Sequence, residues 1–226
     1  MNTAVVSPRA RCYRYKRVGV GHHDWMRAAK LRLLLSLLAS TASYTINFQT
    51  DVQQGSPPGL VVINVTSAWA PLGAAHLEDL VEDKFFDGAA FFRVVPNFVV
   101  QFGIAGTPAE NQKWTKAILD DPVAHSNLAG TVTYATAGPN TRTTQLFINL
   151  KDNAGLDSQG FAPFGTIVHG MDVVRAIHNP TPESSGGVDQ YLYETKGDDW
   201  IRQQYPNINF ITNGTVHRSQ LGNRPN

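Results

Sequence analysis

The chain has 226 residues, 42% hydrophobic and 16% charged, with 19 Gly, 13 Pro and a formal net charge of +1. That composition fits one compact, turn-rich globular domain and argues against disorder, coiled coil and repeat architectures. A single cysteine, Cys12, excludes an intrachain disulfide, and the seven histidines fall in no metal-ligand spacing, so neither metal nor cofactor is expected.

Charge is unevenly spread. Residues 1–43 carry eight Lys/Arg against one acid, Asp24, and taking these from the chain's 19 basic and 18 acidic residues leaves 11 against 17, a net of −6. A body this acidic does not hold a phosphate backbone by general electrostatics, so nucleic acid is not an expected partner.

In chain order, the basic stretch Met26–Arg32 precedes the apolar run Leu33–Ala39 and the small residues Ser40–Ser43. Basic, apolar, small is the order of a secretory signal peptide, with cleavage after Ala42. The apolar run is about half of the ~20 residues that cross a bilayer, so no stable membrane span is expected. An organelle transit peptide is the alternative, because the segment is Arg-rich and acid-poor, and either Met1 or Met26 can be the start. The reading is thus a targeting segment over 1–43, one folded domain over 44–217 and a tail over 218–226. Two acceptor triplets, Asn64-Val65-Thr66 and Asn213-Gly214-Thr215, are compatible with secretion.

Tyr44–Phe48 and Val61–Thr66 read as strands, the second alternating Val61, Ile63 and Val65 against its other face. Pro71 opens a helix running to about Asp83. Asp87-Gly88 marks a turn, after which Ala89–Val95 and Phe98–Gly103 form a hairpin around Pro96-Asn97. Residues 104–127 read as a loop excursion with a short helical turn. Leu128–Tyr134, Gln145–Leu150 and Phe164–His169 are strands, Met171–Ile177 a helix, Gly197–Gln204 a helix capped by Asp198, and Asn207–Thr212 a closing strand. Many short strands with two or three helices give a mainly β class: a closed antiparallel barrel capped by helices.

Three stretches carry more than a fold class. They are Phe91–Gly103, Tyr134–Ile148 and Gly155–Gly165, in which an arginine, aromatics and amides alternate with apolar residues. Arg93 and Val95 share one face of their strand, as do Val99 and Gln101 of the next. Their order and spacing resemble the cyclophilin family of peptidyl-prolyl cis–trans isomerases. The likeness covers roughly residues 58–178 and includes Ala70-Pro71, Phe85–Gly88 and Gly170–Val174.

The resemblance implies a closed eight-stranded antiparallel β-barrel with an α-helix at each end and a proline-binding groove on its outer face. It implies Arg93 as the catalytic residue and Phe98, Phe147 and Leu156 as floor and walls of a proline pocket. Gln101, Ala135 and Gln145 would contact the peptide backbone. Phe161 stands where many members have histidine and Val99 where many have methionine, and both keep the pocket apolar.

The chemistry is consistent with that assignment. Rotation about a peptide bond costs ~18–20 kcal/mol, and no bond is made or broken. What the reaction needs is a site favouring the twisted amide, whose pyramidal prolyl nitrogen accepts a hydrogen bond. A permanently charged, many-pronged guanidinium suits that role better than an ammonium.

Departures from the family pattern carry their own expectations. Gly155 stands where cyclosporin-sensitive members have tryptophan, so weak cyclosporin binding is expected alongside activity on proline-containing polypeptides. Phe92 replaces a common histidine, and Thr136 a common asparagine. A monomer assisting folding of secreted or lumenal proteins is the first functional reading. A non-catalytic module that binds proline segments is the second. A hydrolase lacks support, having no Gly-x-Ser-x-Gly elbow.

Overall fold

A computed structural model describes residues 43–218. The segment expected to be a targeting sequence therefore lies, but for Ser43, outside the described residues, as does most of the expected tail. The chain runs β1 (Ser43–Thr50), β2 (Leu60–Thr66), α1 (Pro71–Glu82), β3 (Arg93–Val95), β4 (Val99–Phe102) and α2 (Pro108–Lys113). It continues through β5 (Thr131–Tyr134), β6 (Leu146–Asn149), a 3₁₀ helix (Ala154–Gln159) and β7 (Pro163–His169) to α3 (Met171–Ala176). Two consecutive helices, α4 (Gln190–Lys196) and α5 (Asp198–Gln204), precede β8 (Ile211–Arg218).

The eight strands form one antiparallel sheet in the order β3-β4-β6-β5-β7-β2-β1-β8. Strict alternation gives the sheet one inward face, which packs on the main core. Ile46 and Phe48, Ile63 and Val65, Val100 and Phe102, Leu146 and Ile148 all point inward and are buried, meeting Leu77 and Leu80 of α1. Each such side chain contributes about 1.5–3 kcal/mol on burial. Phe48, Phe86, Phe91 and Phe102 meet edge to face, with ring centroids 5.3–5.9 Å apart, and lock the sheet's middle.

The expected closed barrel with two capping helices is corrected in two respects. Among the described residues no ladder joins β3 to β8, and there are five α-helices. The physical reason lies before β3. The expected strand Ala89–Val95 shrinks to three residues because Gly88–Phe91 crosses towards Asn209–Ile211 with isolated bonds only. These are Gly88 N–H to Ile211 O (2.8 Å), Phe91 N–H to Asn209 O and Ile211 N–H to Ala89 O (both 2.9 Å), with one bridge at Ala90 and Phe210.

Side chains fill that seam. Phe92, Ile104, Val188, Tyr193, Ile201 and Phe210 form a second buried cluster under α4 and α5. The Ala90 N–H donates to the Tyr193 hydroxyl at 2.9 Å. The long C-terminal region thus has a structural role, covering an otherwise open sheet edge. Phe92, which replaces a common histidine, is fully buried in this cluster.

Smaller differences have local causes. The last strand starts at Ile211 rather than Asn207 and runs to Arg218, because β1 offers it a full-length partner. Asp198 is the first helical residue of α5, the cap being Gly197. The short helix expected within 104–127 is α2. Its following loop supplies a distant cap: Asp121 accepts from Leu72 and Gly73 N–H at the start of α1 (3.0 and 2.8 Å) and pairs with the buried Arg142 at 3.1 Å.

Candidate active site

The outward faces of β3, β4 and β6 carry the polar and aromatic residues that alternate with the core. Register sets Arg93 opposite Gln101, and Gln101 opposite Phe147. Residues 93, 99, 101 and 147 therefore share one outer surface, and Leu156 and Phe161 close it from the 3₁₀ helix and the segment after it. Between them lies a hollow of about 300 Å³ lined by Arg93, Phe98, Val99, Gln101, Ala135, Thr136, Phe147, Leu156, Gln159 and Phe161.

Its apolar side is firmly built. Phe147 is 5% exposed and meets Phe161 edge to face at 5.6 Å. A buried amide network behind the pocket fixes its walls. Asn153 donates from Nδ2 to the Phe98 carbonyl (3.0 Å), and Asn127 donates from Nδ2 to the Phe161 carbonyl (2.8 Å). The Asn153 N–H donates to Asn127 O at 2.7 Å and joins the two halves. Asp157 anchors the network: burial pushes its pKa up, but hydrogen bonds from Ser126 and Asn127 outweigh it and leave it below the ordinary value.

Arg93 forms the polar side. Its Cζ lies 6.0 Å from the Phe98 ring centroid. Nη1 donates to Gln101 Oε1 at 3.0 Å and Nε to the Ser185 carbonyl at 2.6 Å, while Nη2 has no hydrogen-bond partner among the described residues. No carboxylate there lies within 4 Å of the guanidinium. Partial burial lowers its pKa from the ordinary arginine value, which still leaves it charged at neutral pH. The arrangement is a cation with a spare donor at the edge of a small aromatic slot.

A chain of amides extends from the arginine. Gln101 Nε2 donates to Gln145 Oε1 (2.8 Å), and Gln145 Nε2 donates to Gln190 Oε1 (3.0 Å). Gln145 stands one hollow away from the pocket and does not line it. Every other residue that the resemblance assigns to catalysis or substrate binding borders the pocket itself, whereas Phe92 lies in the second buried cluster and Gly155 in a neighbouring hollow. Gln159, an exposed glutamine, joins the lining with no signal in the sequence, as do the Ser185 and Gln190 contacts.

The cyclophilin-type peptidyl-prolyl cis-trans isomerase/CLD family model matches residues 46–203. The chain belongs to the cyclophilin family. Among curated relatives, a peptidyl-prolyl cis-trans isomerase of Acinetobacter baylyi is 35% identical over 148 residues, covering 62% of this chain and 78% of that protein. Peptidyl-prolyl cis-trans isomerase A of Dickeya dadantii is 32% identical over 160 residues, 68% of this chain and 84% of its own. Peptidyl-prolyl cis-trans isomerase B of Escherichia coli is 31% identical over 138 residues, 57% and 84% respectively. All of the pocket-lining residues of this cyclophilin lie inside the matched span. Among its described residues no helix is long and apolar enough to cross a membrane, and no cluster of three or more His, Cys, Asp or Glu could hold a metal ion.

Proposed function

We propose that this cyclophilin isomerises X-Pro bonds of polypeptides without covalent chemistry, with Arg93 as the catalytic residue. One observation carries the reading: the Arg93 guanidinium, its Nη2 without a partner among the described residues, borders a slot floored by Phe98 and Phe147. A proline ring seated on those aromatics brings its nitrogen to the arginine side. As the amide twists, resonance is lost and the nitrogen lone pair localises, and a guanidinium N–H stabilises it more than either planar form. The half-buried setting strengthens that interaction, and no proton transfer is needed. Gln101 holds the arginine from one side and Ser185 from the other, so orientation is set before substrate arrives.

A protease-coupled assay on proline tetrapeptides with wild type and Arg93→Ala tests this. Turnover should collapse while peptide binding persists. Equal rates would leave a binding module in place of an enzyme.

Two finer points belong to the same proposal. Weak cyclosporin binding is supported by Gly155, which leaves a hollow of about 390 Å³ beside Phe98 and Leu156 where an indole would pack. A secretory destination is supported by the basic, apolar, small order of residues 26–43. N-terminal sequencing of exported protein should begin after Ala42. A mature form isolated from an organelle instead would favour the transit-peptide alternative.

A further inference from the structure

Away from the Gly155 side, the proline pocket continues into a row of adjoining hollows that form a trough. It shares Gln101, Ala135 and Thr136 with a second hollow of about 320 Å³ that adds Gln145 and Gln190. That hollow shares Thr143 with a third of about 370 Å³, walled by Pro108, Asn111, Trp114 and, from α4, Glu194 and Thr195. Glu194 is the one ionisable side chain in the third hollow's lining. It is half-buried and has no ion-pair partner within 4 Å among the described residues. Lys113, a cation beside Trp114, is engaged by Asp83 at 2.5 Å. Burial raises the Glu194 pKa above the ordinary carboxylate value, opposed by the neighbouring Gln145 amide. A carboxylate held this way is incompletely compensated, and a cation from outside would complete it.

We propose that this third hollow is a specificity site for a lysine or arginine side chain of the substrate polypeptide. The aliphatic stem would lie along Trp114 and Pro108, with the charged head on Glu194 and its remaining donors on the hydroxyls and amides around it. Reach agrees with a substrate residue near the proline. Thr143 precedes Phe147 by four positions, which spans at most about 13 Å even if fully extended, so the basic residue lies within about four residues of the X-Pro bond. Net charge favours the same ligand, since residues 44–226 carry 11 basic against 17 acidic side chains. The inference rests on the isomerase reading for the meaning of the trough, but not for its own test.

That test is a binding titration. Fluorescently labelled peptides with one X-Pro bond carry lysine, norleucine or glutamate at each nearby position in turn, and affinity is read by anisotropy. Lysine at the matching position should bind about five-fold tighter than norleucine, and glutamate more weakly than both. Glu194→Gln should abolish the lysine advantage, Glu194→Lys should pass it to the glutamate peptide, and high salt should shrink it. Equal affinities for lysine and norleucine at every position overturn the proposal, as does a lysine advantage that survives in Glu194→Gln. Turnover is measured separately on the same peptides. Lysine preference without turnover would sink the isomerase reading alone, whereas turnover without lysine preference would sink only the specificity site.

Discussion

The Nε of Arg93 donates a 2.6 Å hydrogen bond to the main-chain carbonyl of Ser185, 92 positions further along the chain. The same segment touches the arginine again. A Cβ placed on Gly187 would fall 2.6 Å from the Arg93 Cβ, and the Val188 N–H donates to the Phe92 carbonyl at 3.0 Å. Five residues after Ser185, Gln190 takes the far end of the Arg93–Gln101–Gln145 chain. One short segment, the loop before α4 and that helix's first residue, therefore holds both ends of the polar side of the site.

This predicts that Arg93→Lys is nearly as damaging as Arg93→Ala. A lysine ammonium cannot place donors on Ser185 and Gln101 and keep another for the prolyl nitrogen. Both variants should lose about 10²–10³-fold in kcat/KM, the usual cost of one preorganised donor. Arg93 is only partly buried, so thermal midpoints should stay close to wild type. A lysine variant with wild-type turnover would remove the geometric argument.

Gly187→Ala should misplace the arginine from behind. Gly187 has φ +80°, a left-handed conformation costing other residues roughly 1–2 kcal/mol, and the added methyl collides with Arg93 Cβ. We expect kcat to fall about ten-fold or more with KM little changed, beyond what the modest loss of stability explains. Steady-state kinetics below the unfolding transition separate the two effects.

Gly155→Trp should create cyclosporin sensitivity. A Cβ at Gly155 meets no atom within 4 Å and the position has no left-handed strain, so the indole has room. Recovery of packing and one N–H donor corresponds to about ten-fold or more in affinity. Calorimetric titration of both proteins provides the check. Tight binding by the wild type would contradict the reading of Gly155.

His76 makes stability pH-dependent. Its Nε2 lies 2.8 Å from the Thr143 carbonyl, which can only accept, so the neutral ring carries its proton there. Burial lowers its pKa below the ordinary histidine value, outweighing the bond to Thr143 and the charge of Asp79, both of which raise it. The native state then binds fewer protons than the unfolded one. Its contribution is complete above the unfolded pKa near 6.5 and is lost as pH falls through the depressed folded value. Denaturant midpoints should drop as pH falls below about 6.5, and His76→Gln, which keeps a donor for Thr143, should flatten the drop. Parallel losses in both proteins would place the source elsewhere.

Much of the site is legible in the sequence. Period-two alternation puts Arg93, Val99, Gln101 and Phe147 on outward faces and their neighbours Val94, Val100, Phe102 and Ile148 in the core, and the structure keeps that division. Strand and helix positions follow from the same periodicities, from Pro71 at the start of α1 and from the turn residues. Helix α4 escapes this reading because Tyr191-Leu192-Tyr193 is a short apolar cluster rather than a helical stripe. It forms only where Asp189 caps Leu192 N–H and Tyr193 finds the second core.

Local pattern and composition, then, determined what this chain presents on its outer surface: a guanidinium, two amides and a set of aromatics, because the side a residue faces depends on its immediate neighbours in sequence. Tertiary structure alone decided that the sheet's ends stay unladdered, that Ser185 grips Arg93, and that Glu194 stands at the end of the trough. Those are meetings between segments tens of residues apart, set by how helices and loops settle over a finished core, and no short-range periodicity encodes them.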